Sequence, residues 1–91
     1  MKYTVKYSSL FKKSFKKCIK RGFDENKFKE VVLILANEGC LPPKYKPHKL
    51  KGNYSGIWEC HICPDWLLLW QQNDEELILI LTDTGTHSDL F

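Results

Sequence analysis

Lysine and arginine disappear from this sequence after Lys51, and the remaining forty residues hold neither. That absence excludes any phosphate grip built from lysine or arginine in the second half. Histidine is left there as the side chain able to hold and release a proton near neutral pH. Long apolar runs are lacking too: nothing approaches the roughly 18 consecutive apolar residues of a membrane span. The opening Met1-Lys2-Tyr3-Thr4-Val5-Lys6 has no apolar stretch of the kind a secretory signal needs. A cytoplasmic protein with no membrane partner is expected, its cysteines Cys18, Cys40, Cys60 and Cys63 reduced. The sequence also lacks a second close ligand pair to accompany Cys60-His61-Ile62-Cys63, which a structural zinc site would normally want. On a strand, Cys60 and Cys63 are expected on opposite faces. No metal and no cofactor is therefore expected, and a redox role is weaker still because the motif does not open a helix.

What is present is sharply divided. Fourteen cations against four acids leave +10 up to Lys51, while seven acids with no lysine or arginine leave −7 beyond it. A basic half of that size suits a polyanion, RNA or DNA above all. The plainer alternative is that the lysines solvate two helices and meet the acidic half within the fold. Apolar residues make up 43% of the chain and aromatics 13%, enough for one modest core. One domain spanning residues 1–91 is expected.

Alternation over Tyr3–Tyr7 predicts a short strand. Ser8 or Ser9 then caps a helix with Phe11, Phe15, Cys18 and Ile19 on one face, closed by Gly22. Asp24 caps a second helix, in which Phe28, Val31, Val32, Leu35 and Ala36 follow helical spacing until Gly39. Residues 39–52, with Pro42, Pro43 and Pro47, read as an irregular loop, long for so small a domain. Three strands follow at about 54–62, 65–72 and 75–82, joined by hairpins at Pro64 and at Asn73-Asp74. The order β-α-α-β-β-β predicts an α+β domain. Its two helices pack on one face of a mainly antiparallel four-stranded sheet.

In the first of those three strands, Trp58, Cys60 and Ile62 are expected to face the core, and Ile57, Glu59 and His61 the other side. Glu59 and His61 then share a face with Asp65 just past the turn, where a carboxylate can orient an imidazole for proton transfer. His48 lies in the loop, in Lys46-Pro47-His48-Lys49. His87 lies in the tail His87-Ser88-Asp89-Leu90-Phe91, after the bend expected at Thr84-Gly85-Thr86. The three histidines converge only if that tail folds back along the sheet. Trp58, Trp66 and Trp70 read as core, with Trp66 allowed a place beside a site because of Asp65. Phe91 could plug the core or stack on a base.

These pieces together resemble the YafQ branch of the RelE toxins. The likeness rests on Tyr45-Lys46-Pro47-His48-Lys49-Leu50-Lys51-Gly52, on Glu59-Cys60-His61-Ile62-Cys63-Pro64-Asp65-Trp66 and on Thr84-Gly85-Thr86-His87-Ser88-Asp89-Leu90-Phe91. It runs over nearly the whole chain. The resemblance implies a toxin of a bacterial type II toxin–antitoxin module that cleaves mRNA in the ribosomal A site and is silenced by a bound antitoxin. The functional positions it implies are His48, His61, Asp65, His87 and Phe91, with Trp66 beside them. Glu59 stands where the family pattern has aspartate; it keeps the charge on a longer arm and is taken as supporting.

The implied reaction is attack of a ribose 2′-OH on the adjacent phosphate, leaving a 2′,3′-cyclic phosphate and a free 5′-OH. It needs a base and an acid, and differently tuned imidazoles can supply both. His87 is assigned as acid and His48 or His61 as base, with Asp65 orienting one ring and Phe91 stacking on an mRNA base. Lys12, Lys13, Lys16, Lys17, Lys44, Lys46, Lys49 and Lys51 are assigned to RNA phosphates. The expected partners are a cognate antitoxin and the ribosome with its mRNA, and the antitoxin complex is a candidate to bind operator DNA. The runs Leu67–Trp70 and Leu77–Leu81 are richer than one helical layer requires, so the antitoxin is expected to cover part of the sheet edge or an adjoining groove. Competing readings are a non-catalytic basic RNA-binding domain, a small zinc protein and a ribonuclease that acts without ribosomes.

Overall fold

The computed structural model describes residues 1–91. Strand β1 (Thr4–Tyr7) stops at Ser8, whose hydroxyl accepts the Phe11 N–H at 2.9 Å and starts helix α1 (Ser9–Lys20). Helix α1 buries Phe11 and Cys18 and leaves its lysines outward. Asp24 caps α2 (Glu25–Glu38) through the Asn26 N–H at 2.9 Å, and α2 turns Phe28, Val31, Leu35 and Ala36 inward. Gly39 ends it with φ of 72°, and a Cβ there would lie 2.6 Å from the Tyr3 hydroxyl. Left-handed backbone and close packing thus both require glycine at that helix end.

The loop that follows holds two 3-10 turns, Pro43–Tyr45 and Gly52–Tyr54, with β2 (His48–Lys49) between them. Strands β3 (Trp58–Cys63), β4 (Trp66–Asn73) and β5 (Ile78–Gly85) come next, then a short helix α3 (His87–Leu90). The sheet order is β1-β5-β4-β3-β2, with β1 parallel to β5 and the other pairs antiparallel. The α+β class and mainly antiparallel sheet are as expected, but the strands number five. The extra strand comes from inside the proline-rich loop, and two residues are too few to show alternation. Strand β3 starts at Trp58 rather than Tyr54. Strand β5 reaches Gly85 because Leu67 and Leu68 of β4 still pair with Gly85 and Thr84, so the bend falls at Thr86. The Pro64-Asp65 hairpin is tight; the one after Asn73 runs through residues 74–77.

One face of the sheet packs against both long helices. Cys60, Ile62, Trp66, Leu68, Trp70, Leu79 and Leu81 meet Phe11, Phe28, Val31 and Leu35 there. A register shift between His61 and Cys63 sets Cys63 opposite Trp66, as Cys60 is set opposite Leu68. Both cysteines therefore face the helices, against the expectation of opposite faces, because the bulge breaks the alternation. Burial pushes the Cys60 thiol up to about 12, far from thiolate chemistry.

Leu67 and Leu69 are buried on the other face, as register partners of His61 and Glu59. The apolar runs of β4 and β5 are thus largely enclosed in the chain itself: Leu67, Leu68, Leu69, Trp70, Leu79 and Leu81 are all buried. The large apolar side chains that stay exposed are Met1, Tyr7, Leu10, Leu33, Tyr54 and Phe91. No helix is long and apolar enough to cross a membrane.

Candidate active site

Alternation along β3 sends Glu59 and His61 to the face away from the helices, and β2 sets His48 directly opposite Glu59. The His48 Nε2 lies 3.1 Å from Glu59 Oε1, and its Nδ1 lies 2.9 Å from the Lys46 carbonyl. A carbonyl only accepts, so Nδ1 is the donor there and Nε2 is turned to the carboxylate. Glu59 is buried, and this contact is what compensates its charge there. Both nitrogens of His48 are engaged, and the ring clasps the loop to β3.

His61 is differently placed. Its Nδ1 donates to the Pro64 carbonyl at 3.2 Å across the hairpin, which selects the tautomer and leaves Nε2 unpartnered. Asp65, the next residue in that turn, accepts from the His87 backbone N–H at 3.0 Å and from His87 Nδ1 at 2.6 Å. Those two bonds, the backbone one first, hold the Asp65 carboxyl below the usual carboxylate range. The rings of His61 and His87 lie 5.6 Å apart, tilted by 57°. Each is tied to the Pro64-Asp65 turn by Nδ1, so each presents its Nε2 away from that turn. A base and an acid can share one phosphodiester in such an arrangement.

His87 reaches this place because the tail is built as a helix and anchored. Thr86 accepts the Asp89 N–H at 3.2 Å while the Asp89 carboxylate accepts the Thr86 N–H at 2.9 Å, a reciprocal cap. Arg21, just past α1, grips the same carboxylate with two bonds of 2.7 and 3.1 Å. The Arg21 guanidinium, together with the Thr86 N–H, holds the Asp89 carboxyl far below its ordinary range. Gly85 lets the helix come this close, since a Cβ there would lie 2.8 Å from the Asp89 Cβ. The tail is thus ordered against the sheet beside His61, while His48 is held by Glu59 and the Lys46 carbonyl and has no contact with that pair.

At the end of α3, Phe91 is 55% exposed and meets Tyr54 edge-on, ring centroids 5.3 Å apart at 80°. Trp66 lines the hollow beside Asp65 with a ring that is otherwise enclosed. It is buried under the helices, 5.1 Å from the Phe23 ring, with its Nε1 donating to Thr84 Oγ1 at 2.8 Å. Arg21, Asp89 and Tyr54 were not singled out from the sequence. A signal existed only for Asp89, in the cap pattern Thr86-His87-Ser88-Asp89.

The eight lysines assigned to RNA are all exposed, and none has a carboxylate within 4.0 Å. Arg21–Asp89 is the one lysine or arginine pair that joins the two halves, and Lys29–Glu25 is local to α2. Apart from Arg21–Asp89, no lysine or arginine of the first half lies within 4.0 Å of a carboxylate of the second. Lys49 lies over the Trp58 ring at 5.5 Å, at the sheet edge on the helix side.

Comparison with known proteins agrees with this geometry. The family model described as a bacterial toxin of type II toxin–antitoxin system, YafQ, matches residues 3–91. The mRNA interferase toxin YafQ of Escherichia coli strain K12 is 38% identical over 88 residues, covering 96% of this chain and 94% of that protein. The crystal structure of YafQ from E. coli strain BL21(DE3) superposes with a TM-score of 0.89 at 36% identity, covering 98% of each chain. A chain in the crystal structure of the E. coli DinJ–YafQ complex matches with a TM-score of 0.87 at 37% identity, again over 98% of each.

Proposed function

Because this chain belongs to the YafQ family of toxins from bacterial type II toxin–antitoxin systems, we propose that residues 1–91 form a single toxin domain acting as a cytoplasmic endoribonuclease. It cleaves mRNA in the ribosomal A site. The observation that carries this reading is the pair of histidines 5.6 Å apart, each with Nδ1 anchored to one turn and Nε2 free. His61 takes the proton from the ribose 2′-OH, which attacks the adjacent phosphorus. The P–O5′ bond breaks, and His87, protonated at Nε2, gives its proton to the departing 5′-oxygen. The products are a 2′,3′-cyclic phosphate and a 5′-OH, and the two rings exchange protonation states in the step.

His61 rather than His48 is the base, since both His48 nitrogens are occupied and His61 Nε2 is not. His48 and Glu59 position the loop that carries Lys44 and Lys46. Asp65 orients His87, and Phe91 with Tyr54 offers an aromatic corner for an mRNA base. Lys12, Lys13, Lys16, Lys17, Lys44, Lys46, Lys49 and Lys51 supply the attraction to ribosomal and messenger RNA phosphates.

A cognate antitoxin silences the chain, as DinJ is the partner of the E. coli relative in its complex, and the complex binds operator DNA. Induction in bacteria with and without the neighbouring gene, followed by mapping of mRNA 5′-OH ends, tests all of this. Cleavage of translated messages that stops when the neighbour is co-expressed is the expected result. Equal cleavage of naked transcript would replace the A-site reading with a ribosome-independent one, and no cleavage by an intact chain would leave a binding domain.

A further inference from the structure

Two hollows flank the His61–Asp65–His87 group, and they differ in charge. One, of about 410 Å³, lies by Asp65 and Thr86 and is walled by Asp24, Phe23 and Trp66. Its carboxylates repel a phosphate. The other, of about 380 Å³, opens beside His61 between α2 and the 3-10 turn Pro43–Tyr45. Lys27 of α2 and Lys44 and Lys46 of the loop line it, against a single acid, Glu30. A cleft of this size lies within the ~300–1,000 Å³ typical of small-ligand sites.

The cleft is also built, not merely left over. Lys46 takes the left-handed conformation, φ 51° and ψ 49°, uncommon for a residue with a side chain. That geometry belongs to the residue whose carbonyl holds His48 Nδ1 and whose side chain lines the cleft. The wall on the strand side is His61 itself with Pro64, the residue whose carbonyl fixes the His61 ring. None of the three lysines has a carboxylate within 4.0 Å, so their charges remain available to an anion.

We propose that this cleft is the subsite for the nucleotide next to the scissile phosphate, with Lys27, Lys44 and Lys46 holding its backbone phosphate. The strand of RNA then leaves the histidine pair on the His61 side, through the basic cleft, and not past Asp24 and Asp65. Lys27 becomes a substrate-binding residue that lies on a different element from the loop lysines. The proposal rests on the ribonuclease reading above and adds the direction of the strand and the residues that receive it.

The test is cleavage of a defined mRNA on programmed ribosomes, with toxin concentration and salt varied, for the parent chain and four variants. Lys27→Ala and Lys44→Ala raise the half-saturating concentration and leave the rate at saturation unchanged. Each lowers the slope of log affinity against log salt by about 0.7, the value for one phosphate contact on a single strand. Glu30→Gln shifts the half-saturating concentration the other way. Lys20→Ala, an exposed lysine outside the cleft, changes neither quantity. Lys27→Ala indistinguishable from the parent, or Lys20→Ala equal to Lys27→Ala, overturns the subsite while leaving the ribonuclease reading standing. An intact parent that cleaves nothing overturns that reading and the subsite with it.

Discussion

Three histidines in one small fold occupy three hydrogen-bonding situations, and their chemistry follows from which nitrogen is left over. His48 has none free, His61 and His87 each keep Nε2. Loss of a positioned acid or base typically costs ~10²–10⁴-fold in rate. His87→Ala and His61→Ala are each expected to lower cleavage by at least ~10²-fold, with circular dichroism and melting temperature near the parent's; an unchanged rate in either would remove that ring from the mechanism. His48→Ala is expected to act more mildly and on the half-saturating concentration, because it frees the loop rather than the reacting atoms. His61, His87 and Asp65 were legible in the sequence as candidate acid–base groups in a half without lysine or arginine, and His48 as a candidate among the loop lysines. Which of His48 and His61 is available as base was not, since that depends on Lys46 and Pro64 carbonyls whose direction the backbone sets.

A four-residue helix has almost no stability of its own, since nucleation costs more than so few bonds return. Helix α3 exists because its ends are tied elsewhere: Thr86 and Asp89 cap it, Arg21 grips Asp89, and Asp65 holds His87. Arg21→Ala is accordingly expected to lower cleavage while global stability changes little, since the pair is solvent-exposed. Arg21→Lys should restore part of the rate. A parent-like rate in Arg21→Ala would show that the cap alone suffices. The sign of the pH effect follows from the two depressed carboxyls. Asp65 and Asp89 contribute to the folded tail fully above the unfolded carboxylate value near ~4, and lose that contribution as pH falls toward their lower folded values. Side-chain carboxyl titration by NMR should place both midpoints below the ordinary carboxylate range. The cap was written in the sequence as Thr86 and Asp89, but a helix so short carries no periodicity to announce it. The fifth strand is similar: two residues become β2 only because β3 is there to pair with them.

The whole molecule keeps its charges apart. Among its lysines and arginines only Arg21 pairs with a carboxylate of the acidic half, so the assigned lysines stay open to solvent and their attraction to RNA should weaken steeply with salt. The exposed apolar side chains Tyr7 and Leu33 share a groove between β1, α1 and α2 that excludes His48, His61, Asp65 and His87. Leu33→Asp is expected to weaken antitoxin capture and leave cleavage intact; unchanged capture would place the antitoxin elsewhere. In the core, Leu68→Ala should cost about 2–5 kcal/mol in chemical denaturation, as for other fully buried leucines. By itself the sequence determined the two helices, the sheet class, the polarity of charge and the residue types able to do chemistry, because periodicity, capping and composition are local properties of the chain. Only the tertiary structure decided that the tail closes on the Pro64-Asp65 turn, that His61 keeps a free nitrogen while His48 does not, and that the leucine runs are largely buried within the chain. Each of those depends on which distant backbone groups and side chains come within hydrogen-bond or packing distance, and the linear order of residues does not carry that information.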